Sequence, residues 1–210
     1  MARHPDATST DLIEDRGYAL GRLLSQVFHP ILMNVLMFLI AGYYGLRDHA
    51  TALAWIGVCI LAMVLPPTLF YMIRLRQGVY GNEDVSIRQQ RNELYLFGFV
   101  WVLLATVALI PLGVPIPLLA VMLIVLALGT IGGVVNLFWK ISVHSASVAA
   151  LATISLLYMR NLGIALWICA LAVGWARVRT NNHTPSQVLA GFLAAATVVL
   201  VVFQLLGARG

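Results

Sequence analysis

Hydrophobic positions run in long stretches along this chain, separated by short polar interludes. A helix that crosses a bilayer needs about 20 apolar residues, fewer when it is short and buried among neighbours. Successive runs of that kind fall at residues 27–46, 51–73, 95–112, 115–138, 144–159, 162–178 and 186–207. They predict an all-α integral membrane fold, a helical bundle of six to seven transmembrane helices. The 144–159 run is short, which suits a helix that begins inside a polar cavity rather than at the lipid boundary. Pro111, Pro115 and Pro117 mark the turn between the third and fourth runs, which together are too long for one helix. Pro66 and Pro67 predict a kink in the second run, and the small residues Gly129, Gly132 and Gly133 predict close packing.

Residues 1–26 are mixed and mostly polar as far as Gly17. Thr8–Asp11 offers helix N-caps, and Leu12, Tyr18 to Leu20, Leu23 and Leu24 recur at a loose helical spacing. This segment reads as an interfacial helix leading into the bilayer, so the expected division is 1–26 and a transmembrane domain over 27–210. Composition agrees: 61% of residues are hydrophobic, 10% are charged, and the mean hydropathy is +0.92, far outside soluble norms. The net charge of +5 is spread over loops and gives nucleic-acid binding no support. Cys59 and Cys169 lie inside apolar runs and read as small hydrophobes. No short apolar core with a cleavage site opens the chain, so no removable signal peptide is expected. The expected location is the plasma or inner membrane. Ten of the thirteen Lys and Arg fall on the face shared by the N-terminus and the loops at 74–94, 139–143 and 179–185, against Arg47, Arg160 and Arg209 opposite, and this leans toward the cytoplasm.

The carboxylates narrow the chemistry. All eight lie at or before Glu93, leaving the last 117 residues without one. That half cannot cage Mg²⁺ or Ca²⁺ in carboxylates. Metal ligands and cofactors are therefore not expected, and phosphate chemistry would run on His and Arg.

Two polar islands interrupt the apolar C-terminal half. Lys140–Ser147 contributes His144, and Ala176–Gly191 contributes Arg177, Arg179, His183 and Gln187. Arg and His beside membrane spans are expensive and usually face a cavity or a partner. A guanidinium offers a planar fork to phosphate oxygens, and an imidazole can attack phosphorus or donate a proton near neutral pH. The competing reading is structural: Arg177 and Arg179 anchor a helix end at the headgroups, and His183 sits in a solvated loop. His29 reads as an interfacial side chain, His4 and His49 as solvated, and Asn181 and Asn182 as turn residues.

The spacing favours the first of these readings. Arg177-x5-His183-x3-Gln187 resembles the third signature of the type 2 phosphatidic acid phosphatase superfamily, Ser-Arg-x5-His-x3-Asp, with Ala176 in place of its Ser. Ser142-Val-His144 resembles the end of the second signature, Pro-Ser-Gly-His, with Ile141 and Val143 in place of Pro and Gly. The first signature, Lys-x6-Arg-Pro, is poorly matched: Arg91 stands for its Arg, but Asp84 occupies the Lys position and Asn92 the Pro position. The resemblance runs from about Asp84 to the C-terminus.

The resemblance implies a membrane phosphatase that hydrolyses a lipid phosphate or diphosphate through a phosphohistidine, without a metal. His183 would be the nucleophile and His144 would protonate the leaving oxygen. Arg177 and Arg91 would hold the phosphate oxygens, Ser142 could add a hydrogen bond, and Arg88, one helical turn before Arg91, would supply the missing cation. Lys140, after Trp139, reads as an interface anchor or as a phosphate contact. Gln187 replaces the acid that orients the nucleophile. It can fix the His183 tautomer but cannot offset an imidazolium charge, so an acid would be borrowed, with Asp84 and Glu93 nearest. The expected partner is a membrane lipid substrate, and a homo-oligomer or membrane complex is compatible with the sequence. The alternative is a non-catalytic member of the same fold that binds lipid headgroups or serves as a subunit. A small transporter ranks last, because the span interiors hold few polar residues.

Overall fold

The computed structural model describes the backbone of residues 9–208 and the side chains of residues 16–208. Thr8, among the expected N-caps, and His4 and Arg209 lie outside those residues. The described residues form nine α-helices in chain order: α1 (Ser9–Val27), α2 (Pro30–Gly45), α3 (His49–Cys59), α4 (Leu65–Arg76), α5 (Arg91–Leu109), α6 (Ile116–Asn136), α7 (Val143–Tyr158), α8 (Arg160–Arg179) and α9 (Pro185–Leu206). Each apolar run of the sequence is helical. The reason is that backbone polar groups in hydrocarbon must be satisfied within their own segment.

Five continuous helices are long and apolar enough to cross a membrane: α5, α6, α8, α9 and the joined α3–α4 rod. The bent pair α1–α2, with 43° between its halves, makes a sixth. The short run is short in the structure too, because α7 has only sixteen residues. It forms the central post, packed against α2, α8 and α9, and eleven of its sixteen positions are buried. Alanines at 149, 150 and 152 let its neighbours approach closely. Large aliphatic side chains such as Leu61, Leu104, Leu171 and Leu193 point outward from the surrounding helices, as a lipid-facing surface requires.

The proline pair acts as expected, with a detail that the sequence did not show. Residues 60–64 widen into a π-helical turn before Pro66 and Pro67 open α4. Pro66 has no N–H to give to the carbonyl four residues back, that of Ala62. The Trp101 indole on α5 donates to that carbonyl instead, at 2.7 Å. The Thr68 hydroxyl donates to the Val64 carbonyl, also at 2.7 Å. The small residues of α6 do permit close packing, against a side chain: a Cβ on Gly132 would lie 2.9 Å from the Tyr95 ring.

Helix ends place the polar islands. α8 closes with a Schellman arrangement. The Asn182 amide donates to the Arg177 carbonyl and the Asn181 amide to that of Val178, at 3.1 and 3.0 Å. Asn181 takes the left-handed conformation that this motif needs, with φ +56°. The His183 amide also donates to the Arg177 carbonyl, at 3.1 Å, which explains in backbone terms why five residues separate the two. α9 then starts at once, with Thr184 as N-cap, Pro185 in its first turn, and a capping box completed by Gln187.

The other island is fixed against this one. The Ser142 side chain caps α7 by accepting from the Ser145 amide, and the Ser142 amide donates to the Gln187 carbonyl at 3.3 Å. Gly191 makes that approach feasible, since a Cβ there would lie 2.8 Å from the Ser142 carbonyl oxygen. Backbone cannot yield as a flexible side chain can. Gly191→Ala is therefore expected to destabilise the folded protein by about 1–3 kcal/mol, read as a lower thermal midpoint in detergent.

Candidate active site

The loop after α4, the first turn of α7 and the loop after α8 meet around a cavity of about 280 Å³. Arg91, His144, Arg177 and His183 all line it, together with Asp84. The rest of its wall is largely apolar, from Met63 and Pro67 by α4, Leu94, Phe99 and Val102 on α5, and Val125 on α6. A second cavity of about 170 Å³ shares Pro30, Asn34, Tyr95, Val125, Gly129 and Val143 with it. A greasy chamber thus ends in a cluster of nitrogen-bearing side chains.

Arg177 is the most deeply buried of that cluster, 1% exposed in the last turn of α8. Its Nη1 comes within 2.9 Å of the Asp84 carboxylate. That contact has the charges but not the alignment of a hydrogen bond, and both Nε and Nη1 of Arg177 lack a hydrogen-bond acceptor. Buried guanidinium N–H groups left in this state are costly. They are donors that an anion entering the cavity could satisfy.

His183 sits in the α8–α9 loop, 7% exposed. Its Nδ1 lies 3.0 Å from the Gln187 Oε1. The Thr184 amide donates to the same oxygen at 3.3 Å. An oxygen serving two donors leaves Nδ1 carrying the ring proton and Nε2 carrying the lone pair. Burial pushes His183 down to about 4, helped by the charges of Arg177, Arg91 and Lys140 and opposed by the bond to Gln187. The ring is thus neutral at physiological pH, with its lone pair on Nε2. Between about pH 4 and pH 6.5 the unfolded chain holds a proton at this residue that the folded one does not, so stability gains with rising pH across that window. Imidazole ¹⁵N NMR at pH 6 is expected to show His183 neutral with its proton on Nδ1. Half-protonation near pH 6.5 would contradict this geometry.

His144, 8% exposed, faces the cavity from the first turn of α7. Its Nε2 is 3.9 Å from the Asp84 carboxylate. Asp84 itself rides on a strained turn. Val85, a β-branched residue, has φ +45°, which costs energy unless the surroundings enforce it. Arg91 supplies the enforcement: its Nε donates to the Val85 carbonyl at 2.7 Å and its Nη2 to the Asp84 carbonyl at 3.2 Å. The two arginines of the motif are thus placed differently. Arg177 presents unpartnered N–H groups, whereas Arg91 lines the cavity while holding the loop that carries Asp84.

The remaining residues singled out from the sequence stand farther off. The Arg88 guanidinium donates to the Asn136 carbonyl at 2.7 Å. Ser142 is fully buried as the α7 cap and receives the Ser145 hydroxyl at 2.9 Å. Lys140 lies outside the cavity wall; partial burial and then the nearby Arg91 and Arg88 push its ammonium down. Of the two acids named as candidates to be borrowed, Asp84 is in the site. Glu93 is held by Arg74 through contacts of 2.9 and 2.7 Å. Among the described residues no group of three or more His, Cys, Asp or Glu is arranged to hold a metal ion.

One residue was placed elsewhere by sequence reasoning. His29, expected as an interfacial side chain, stands on the cavity wall with its ring 5.6 Å from that of His144. The Phe-His-Pro step at the start of an apolar run was the available signal, a histidine where a smaller cap would serve.

The fold and site together define a class: a multi-pass, all-α membrane protein with histidines and an unsatisfied arginine at the head of an apolar chamber. Residues 135–210 match the model of the PAP2 superfamily, which bears out the resemblance drawn from the second and third signatures and is consistent with a member of the type 2 phosphatidic acid phosphatase superfamily. The matched stretch contains Lys140, Ser142, His144, Arg177, His183 and Gln187. The segment from Asp84 to Asn92 lies before it. No curated protein and no solved structure matches the chain.

Proposed function

We propose that the protein hydrolyses a lipid phosphate or diphosphate through a phosphohistidine on His183. One observation carries this reading: the buried Arg177, with two N–H-bearing nitrogens lacking acceptors, faces the same cavity as two imidazoles. The PAP2 match supports phosphatase-type chemistry on lipid phosphates. In this reading the lipid tail occupies the apolar chamber and the phosphate lies against Arg177. The His183 Nε2 lone pair forms a bond to phosphorus as the bond to the leaving oxygen breaks, and that oxygen takes the proton of a protonated His144. Water then attacks the phosphohistidine and returns a proton to His144. Phosphate leaves, and His183 regains its lone pair.

Asp84 fills the electrostatic gap left by Gln187. Its carboxylate, 3.9 Å from the His144 Nε2, would stabilise a proton placed on that ring and would share Arg177 with the incoming phosphate. The test is release of inorganic phosphate by the purified protein from phosphatidate, phosphatidylglycerol phosphate and a polyprenyl diphosphate, with orthovanadate as inhibitor. Turnover of at least one, blocked by vanadate, is expected. Folded protein that releases phosphate from none would favour a non-catalytic headgroup-binding role, which the departures at Asp84, Ile141, Val143 and Gln187 motivate.

A further inference from the structure

We propose that His29 is a third imidazole that binds the substrate phosphate, contributed by the N-terminal helices outside the matched segment. The inference rests on the phosphatase reading above. His29 is the N-cap of α2: its Nδ1 accepts from the Ile31 amide at 3.3 Å. With Nδ1 spent as an acceptor, the proton of the neutral ring sits on Nε2. The ring meets that of His144 edge-on, with centroids 5.6 Å apart and planes at 86°. His29 lines the 280 Å³ cavity, and it also lines an adjoining polar recess of about 50 Å³. Asp84, His144 and Arg177 belong to both walls as well. His29 therefore lines both spaces together with Arg177, whose Nε and Nη1 lack hydrogen-bond acceptors.

The choice of residue type supports a binding role. Ser, Asp, Asn and Thr are the preferred N-caps because a short side chain reaches the free amides without strain. A histidine gives weaker capping but carries a second nitrogen, on the far side of a rigid ring. At this position the second nitrogen is a hydrogen-bond donor fixed by the cap, and the Nε2–H donates to a non-bridging oxygen of the phosphate on Arg177. The site then takes its side chains from two parts of the chain: Arg177, His144 and His183 from the C-terminal third, and His29 from the beginning of α2.

The test separates capping from binding. His29→Asn retains a good N-cap acceptor and loses the far nitrogen, whereas His29→Ala loses both. His29→Asn is expected to keep the wild-type thermal midpoint, to lower kcat/KM for phosphate release 10- to 100-fold, and to weaken orthovanadate inhibition by a similar factor. Wild-type kcat/KM and vanadate inhibition in His29→Asn would overturn the proposal. A second readout covers a variant that fails to fold: in ¹⁵N-histidine-labelled wild type, orthovanadate should shift the His29 Nε2 resonance, and an unmoved resonance overturns the inference. If wild type neither releases phosphate nor binds vanadate, the phosphatase reading falls and the His29 inference with it. If wild type does both and His29→Asn is unaffected, only the inference falls.

Discussion

His183→Ala is expected to lower phosphate release on the order of 10³-fold or more, because it removes the atom that bonds to phosphorus. The effect should fall on kcat, since Arg177 and the apolar chamber remain to bind the lipid. Structure should survive: the His183 amide keeps its bond to the Arg177 carbonyl, and Thr184 and Gln187 keep the cap of α9. A thermal midpoint near that of wild type would confirm that only chemistry was lost. Wild type given ³²P-labelled substrate and quenched in alkaline detergent should carry label that is stable to alkali and lost in acid, and the variant none. Turnover in His183→Ala at the wild-type rate would remove the proposed nucleophile.

Arg177→Met is the second large effect, and two losses are combined in it. Removing a preorganised donor to developing negative charge costs about 10²–10³ in rate. It also leaves Asp84 without its cation. Breaking a buried ion pair typically costs 3–5 kcal/mol, but the Asp84 side chain is 31% exposed, so solvent screening reduces the expected loss to about 1–2 kcal/mol. The double variant Arg177→Met with Asp84→Asn removes both charges, and its stability is expected to return toward wild type while its activity stays lost. A double variant that regains turnover would show Arg177 to serve only the ion pair. Asp84→Asn alone distinguishes the two consequences of the carboxylate. If Asp84 supports a protonated His144, activity falls and its alkaline limit moves to lower pH. If the carboxylate mainly competes with phosphate for Arg177, KM falls instead.

The membrane bundle was legible because a bilayer constrains the chain more tightly than water does. Every apolar run had to become a helix, and every one did. The C-terminal islands were legible because local rules set their geometry: Arg177 and His183 are linked through one helix end, and His183 and Gln187 through the start of the next helix. The Thr-Pro-x-Gln run also announced a capping box, which the motif comparison passed over. Asp84 was visible only as a departure from an expected lysine, and as an acid available to be borrowed. Its place beside Arg177 depends on a strained turn held by Arg91, and φ at a valine cannot be read from residue order. His29 was hidden for a related reason. Nothing within ten residues of it hints at His144, more than a hundred residues away, and only the packing of α2 on α7 brings the two rings together.

The central post has a mechanical implication. A bilayer that thickens or thins pulls on surfaces in touch with acyl chains, and α7 keeps little such surface because most of its length is enclosed. The outer rods α4 and α5, which carry the Asp84 turn between them, have many apolar side chains turned outward. Mismatch strain would therefore tilt the acid-bearing rim and leave the enclosed imidazole where it is. Lipid thickness would then be expected to bear on the Asp84–His144 gap more than on the enclosed post.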